Sequence, residues 1–230
     1  MSVLAADAVW VRPHRVPRPY RVYTFPPRDR EIFVELAALG FATSLQIQEM
    51  FWGGSHAVGK WRVQRLVEWG LLWRWEFSKP YPSAYSLTAH SAPLVGAAPP
   101  PEGLLPSEVL RVVAATEFYV GLRALGREFR WRQGPWGFDL HIAGREYRGL
   151  CPRALPGEAE DFWMWVRAHV GERLMCVASS EEEAVRLARS CPDGRVRYTW
   201  DGLLHSGPLS RAFRRWDGSG FEPEEAVVFA

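Results

Sequence analysis

The run Lys60-Trp61-Arg62-Val63-Gln64-Arg65 combines side chains that read nucleic acid with a spacing that can present them together. A guanidinium donates two parallel hydrogen bonds to guanine O6 and N7, a glutamine amide matches adenine, and an ammonium neutralises phosphate. On a helix, Val63, Leu66 and Val67 share one side with Gly59 and Gly70. The opposite side then carries Trp61, Arg65 and Glu68, flanked by Lys60, Arg62 and Gln64. The expectation is a helix that enters the major groove of double-stranded DNA, starts at Ser55 and His56, and rests its base specificity on Gln64 and Arg65. A solvated helix of a protein-interaction module carries the same residue types, and that reading stands beside the first.

A second group invites a different chemistry. Metal-assisted phosphodiester hydrolysis needs two or three carboxylates and usually a lysine on neighbouring strands, to hold a divalent ion and aim a water. Glu117, Asp139 and Glu146, with Arg148, are the residues that fit. If Ala143-Gly144 is a two-residue turn, Asp139 lies opposite Arg148 and His141 opposite Glu146, all on one sheet face. An arginine there neutralises the carboxylate a metal requires, and Tyr147-Arg148-Gly149-Leu150-Cys151-Pro152-Arg153 offers no carboxylate further along the strand. The expectation is a scaffold without catalysis, metal or cofactor, with a metal-dependent nuclease as the alternative. The chain contains no phosphate-binding Gly-x-x-x-x-Gly-Lys-Ser/Thr, no His-Glu-x-x-His and no Gly-x-Ser-x-Gly.

The elements that must position these residues follow from the punctuation. Ile32, Phe33, Leu36 and Leu39 recur at helical spacing over 28–39, and Gly40 stops that helix. Ser44 is placed to cap a second helix, which Trp52-Gly53-Gly54 ends, and Ser55 to cap the third. Gly70 closes the third helix. Residues 71–77 then read as a strand, 78–83 as a tip and 84–88 as the returning strand. Three helices and a hairpin over 28–90 outline a winged helix-turn-helix, with Arg74 and Lys79 placed to touch the DNA backbone. Ahead of it, residues 1–27 form a basic, proline-rich arm in which Arg12, Arg15, Arg18 and Arg21 fall every third residue, the period of polyproline II. Such an arm can follow phosphates or a minor groove.

Prolines and glycines crowd 91–106, which reads as a linker, and 107–230 reads as a second domain. Ser107 is placed to cap a long helix over 108–125. Strands over 128–132, 136–142 and 145–150 follow, then a helix over 158–169, a strand over 173–177, a helix over 180–189 and a strand over 195–200. The whole is an α+β chain: a winged helix-turn-helix followed by an α/β domain with a mixed sheet, in the element order of restriction-endonuclease-like folds. The Glu181-Glu182-Glu183 run reads as a solvated helix start, and 211–215 as a basic helix end.

Charge agrees with this division. Residues 1–98 hold 11 Lys and Arg against 7 Asp and Glu, whereas 99–230 hold 17 against 19, so the positive field belongs to the N-terminal half. Cys151, Cys176 and Cys191 have no metal-ligand or disulfide spacing. With no signal-like start and no apolar run of spanning length, the expectation is a cytoplasmic protein without a membrane partner.

Three segments carry a resemblance to a known family: Arg28-Asp29-Arg30-Glu31-Ile32-Phe33, the junction from Lys60 through Gly70 to Leu72, and Tyr85-Ser86-Leu87-Thr88. Over about residues 28–90 the chain resembles the replication-relaxation family of bacterial mobile-element proteins. The resemblance implies a winged helix joined to a nuclease-like α/β domain, and a setting in plasmid replication, relaxation or conjugative transfer. It also implies a relaxase or replication protein as a possible partner. One winged helix covers one half-site, so a homodimer is a further expectation.

Overall fold

Backbone punctuation divides the N-terminal part into short helices and an antiparallel sheet. The computed structural model describes residues 10–14, 26–53, 56–78, 82–153 and 158–224, with His56, Glu158 and Ala159 placed by backbone alone. Arg15, Arg18, Arg21, Ser55 and Lys79 lie outside the described residues, as does the side chain of His56. The chain divides into two compact units, Asp7–Thr116 and Glu117–Ala230.

In the first unit, β1 (Val11–His14) is followed by α1 (Pro27–Leu39), β2 (Ala42–Thr43), α2 (Ser44–Trp52), α3 (His56–Glu68), β3 (Leu72–Phe77) and β4 (Ala84–Leu87). The strands form an antiparallel sheet in the order β1-β3-β4-β2. Two of them depart from the sequence reading. Val11–His14 is not a free polyproline arm but an edge strand on β3, and Ala42–Thr43 pairs with β4. Each is too short to show a period of its own, and long-range pairing decides it. The cap of α2 is also Thr43 and not Ser44: its hydroxyl accepts from Gln46 N–H while the Gln46 side chain accepts from Thr43 N–H, a reciprocal capping box.

The core of this unit gathers Ile32, Phe33 and Leu36 of α1, Ile47 of α2, Val63, Leu66 and Val67 of α3, and Leu72 and Leu87 of the hairpin. Each fully buried aliphatic or aromatic side chain contributes ~1.5–3 kcal/mol. Gly70 turns the chain from α3 into β3 at a φ of +69°, with Leu71 N–H donating to Leu66 O at 2.9 Å and Gly70 N–H to Val67 O at 2.9 Å. The 91–106 stretch is anchored to this unit. Ser91 Oγ donates to Leu71 O at 2.6 Å, Thr88 Oγ1 donates to Gly70 O at 3.0 Å, and a 3-10 turn at Ala92–Val95 buries Ala92 in the core. The chain divides further on, within α4 (Pro106–Ala124), where Thr116 belongs to the first unit and Glu117 to the second. This helix starts at Pro106, and it is Glu108 that reaches back to Leu105 N–H, at 2.7 Å.

The second unit carries β5 (Phe129–Gln133), β6 (Gly137–Ile142), β7 (Arg145–Leu150), α5 (Glu158–Ala168), β8 (Arg173–Ala178), α6 (Glu181–Ser190), β9 (Val196–Trp200), α7 (Asp201–Ser206), β10 (Arg214–Trp216) and β11 (Phe221–Pro223). The sheet order is β11-β10-β9-β8-β7-β6-β5. β5, β6 and β7 form an antiparallel meander, β7, β8 and β9 run parallel through α5 and α6, and β10 and β11 return antiparallel. The fold is therefore a mixed α+β chain with two sheets. Residues 211–215 are a helix end only at Arg211, which closes a 3-10 turn over Leu209–Arg211; β10 then extends the sheet, and its Trp216 joins the core with Tyr198 and Leu187. Nor is the whole acidic run solvated. Glu183 is buried, accepting from Ser179 N–H at 2.6 Å and Ser179 Oγ at 2.9 Å, because α6 packs onto the sheet from its first turn. Among the described residues no helix is long and apolar enough to cross a membrane.

Gly59 sets how closely α3 lies on α2. A Cβ there would come 2.4 Å from Gln48 Cγ and 3.1 Å from the Trp52 ring, and Gln48 is itself buried. Gly59→Ala is expected to destabilise the protein by ~1–3 kcal/mol through overpacking, against the ~1 kcal/mol that alanine contributes in a free helix. A urea titration checks this, and an unchanged or higher midpoint would show that the helices separate freely.

Candidate nucleic-acid interface

Two polar faces, one in each unit, carry the residues singled out above. In the first unit α3 buries Val63, Leu66 and Val67 and turns Lys60, Trp61, Gln64 and Arg65 outward, as its periodicity requires. Trp61 is the most exposed of the tryptophans described in this unit. Trp75 is buried and donates from Nε1 to Ser86 Oγ at 2.7 Å, whereas Trp61 is 56% exposed. The Arg65 guanidinium lies 5.5 Å from the Trp61 ring centroid, and Arg65 Nη1 donates to Glu68 Oε2 at 3.0 Å. Gln64 Nε2 donates to the other Glu68 oxygen at 3.1 Å. Glu68 thus holds both side chains expected to read bases.

The antiparallel register adds a second wall. Arg12 lies opposite Glu76, His14 opposite Arg74, and Arg74 opposite Tyr85, and directly opposed residues share a sheet face. Between that face and α3 lies a groove of about 330 Å³, lined by Lys60, Gln64 and Glu68 from the helix and by His14, Arg74 and Tyr85 from the strands. Burial pushes the Tyr85 phenol up from its usual range while Arg74 acts in the opposite direction, so the phenol is a hydrogen-bond donor at neutral pH. Arg74 is paired with Glu76 on its own strand, and Arg12 lies over Trp10, its guanidinium 4.6 Å from the ring centroid.

One predicted member of this face belongs elsewhere. Arg62 turns inward from α3, donating from Nε to Asp29 Oδ1 at 2.8 Å and from Nη2 to Asp29 Oδ2, and its guanidinium lies 5.1 Å from the Trp69 ring centroid. Asp29 is buried in the first turn of α1, so Arg62 is engaged in a bond between helices. His14 and Tyr85 were not predicted. The hairpin register alone places Tyr85 beside Arg74, whereas His14 required the pairing of β1, for which no local signal exists.

In the second unit, Ala143 and Gly144 take φ of +50° and +72°, the two-residue turn expected between β6 and β7. Asp139 accordingly faces Arg148, and His141 faces Glu146. Asp139 is engaged from both sides: Arg132 of β5 donates from Nε to its Oδ2 at 2.9 Å, and Arg148 Nε lies 3.5 Å from its Oδ1. Glu117 does not join them. It meets His205 Nδ1 at 3.3 Å, while its neighbour Phe118 packs on Phe138 and Trp131, side chains that alternate onto the opposite sheet face from Asp139. Among the described residues no three His, Cys, Asp or Glu side chains gather to hold a metal ion.

Comparison with family models, with curated proteins and with solved structures returned no match to this chain.

Breaking the Arg62–Asp29 pair takes the guanidinium away from a buried carboxylate. Arg62→Ala is expected to cost roughly 2–4 kcal/mol of stability, whereas Lys60→Ala, on the exposed side of the same helix, changes stability by less than about 0.5 kcal/mol. Thermal unfolding of the two variants checks this, and similar melting temperatures would refute the division of roles.

Proposed function

We propose that the protein binds duplex DNA through a winged helix-turn-helix formed by α1, α2, α3 and the β3–β4 hairpin. One observation carries the reading. The outward side of α3 presents Lys60, Trp61, Gln64 and Arg65, and Lys60 and Gln64 share one groove with His14 and Arg74 of the sheet face that also bears Arg12, so a base-edge donor and phosphate-neutralising groups come together. The excess of Lys and Arg in residues 1–98 supports it, since a positive field raises the rate and affinity of phosphate encounters. In this reading α3 enters the major groove, Gln64 and Arg65 read bases, and Arg12 and Arg74 contact the backbone. The likeness of 28–90 to the replication-relaxation family suggests a setting in mobile-element replication or transfer. In that setting the C-terminal unit acts as a nuclease-like scaffold without catalysis, because Asp139 is committed to two arginines.

The ties to Glu68 must be broken before Gln64 and Arg65 reach bases. Exposed pairs of this kind are worth ~0.2–1 kcal/mol, so a duplex displaces them, and Glu68 weakens binding to sequences that give little in return. Arg65→Ala is expected to cost ~1–3 kcal/mol on a site selected from a random duplex pool and to relax preference at that position. An equal loss on every sequence would contradict base reading. Glu68→Gln is expected to raise affinity for unselected duplex by on the order of twofold to fivefold. Both are read by fluorescence anisotropy over a salt series, where binding indifferent to salt would overturn the proposal as a whole.

A further inference from the structure

The face of the second sheet that carries Asp139 is covered over only part of its width. Toward β8 and β9 it is packed: Leu150, Leu174, Cys176 and Ala178 lie beneath Phe162 and Val166 of α5 and Ala184 and Leu187 of α6. Over β5, β6 and the start of β7 the same face is an open groove of about 720 Å³, with Gly171–Arg173 as its wall. Its floor is two cross-strand rows set by the register, Arg132-Asp139-Arg148 and Arg130-His141-Glu146. Arg130, Arg132 and Arg148 stand on this face with Asp139, Glu146 and Glu172, and Arg145 and Arg173 border the groove from the strand ends.

We propose that this groove binds the phosphate backbone of single-stranded nucleic acid. The inference goes beyond the reading of duplex by α3 and uses none of that helix's residues. Three features carry it. The groove's strongly basic groups are all guanidinium, whose forked donors match phosphate oxygens. The arginines are also oriented in advance, since Asp139 holds Arg132 and Arg148 together and Glu172 Oε2 holds Arg148 Nε at 2.7 Å. Arg148 stays 37% exposed despite these two ion pairs. Arg132, also paired with Asp139, is 78% exposed. Asp139 is therefore a positioning residue for arginines and not a metal ligand.

Dimensions select the occupant. β5 and β7 are separated by about 10 Å, two strand spacings of ~4.8 Å. That span seats one extended phosphate backbone across the three strands, with β5 as the open edge of the sheet. The two rows are spaced by ~6.8 Å along the strands, a repeat suited to a polymer with charge at intervals rather than to a single ion.

The test uses the full chain with end-labelled oligothymidine and, separately, a labelled mixed-sequence duplex, read by anisotropy over a salt series. Arg130→Glu/Arg132→Glu is expected to weaken oligothymidine binding by about tenfold or more and to leave duplex binding unchanged. Lys60→Ala/Arg65→Ala is expected to do the reverse. The proposal is overturned if the wild-type protein does not bind oligothymidine, if Arg130→Glu/Arg132→Glu binds it as the wild type does, or if Lys60→Ala/Arg65→Ala abolishes that binding. Should the charge-reversed variant fail to fold by circular dichroism, the milder Arg130→Gln/Arg132→Gln at two exposed sites decides, with a drop of about threefold expected and no drop overturning the proposal. Loss of duplex binding in the wild type with oligothymidine binding intact would remove the α3 reading and leave this one standing.

Discussion

The close approach of α3 to α2 at Gly59 determines the direction in which Lys60, Trp61, Gln64 and Arg65 face. With no side chain at Gly59, the buried stem of Gln48 and the ring of Trp52 fit directly against the helix backbone. Val63, Leu66 and Val67 then reach the core they share with Ile32, Phe33 and Ile47. The Arg62–Asp29 pair ties the same helix to α1, so α3 is held from two neighbours and its remaining side has no freedom but to face out. The proposed base reading needs that rigidity, because base-edge hydrogen bonds tolerate little angular error.

The hairpin depends on α3 in turn. The turn at Gly70 delivers the chain into β3, and Thr88 and Ser91 bond back to the carbonyls of Gly70 and Leu71, so both ends of the hairpin are fastened at the base of the helix. This places Arg74 and Tyr85 beside Lys60 and Gln64 in one groove. It also explains why a stretch as rich in proline as 91–106 stays with the first unit. Proline prevents regular structure there, but it does not prevent Ser91 and Ala92 from being buried.

The second sheet shows the same economy in a different form. Alternation along β6 sends Phe138 and Leu140 to one face, where Phe118 and Trp131 stack on the Phe138 ring, and Asp139 and His141 to the other. Gly149 makes this possible, since a Cβ there would come 2.2 Å from that ring. One face is thus an aromatic core and the other a lattice of arginines and carboxylates. Paired arginines beside a carboxylate favour the binding of phosphate over the binding of a metal ion.

Strong local signals were legible without any structure. The helical spacing of Ile32, Phe33, Leu36 and Leu39, the stop at Gly40, the outward side of α3 and the Ala143-Gly144 turn with its Asp139–Arg148 register all depend on residues close in the chain, where period and turn chemistry decide. What depends on distant partners was not legible. Arg62 and Arg65 are both arginines on one helix, and only the position of Asp29 on another helix separates a buried tie from an exposed donor. Val11–His14 becomes a strand because β3 has a free edge, and β10 is a strand because β9 has one. Glu117 and Asp139 are both carboxylates, yet helix packing and strand alternation send them to different faces. The sequence by itself determined the elements and the residue types each could present. The tertiary structure alone decided which of those residues meet, because pairing and burial are set by contacts that no local pattern encodes.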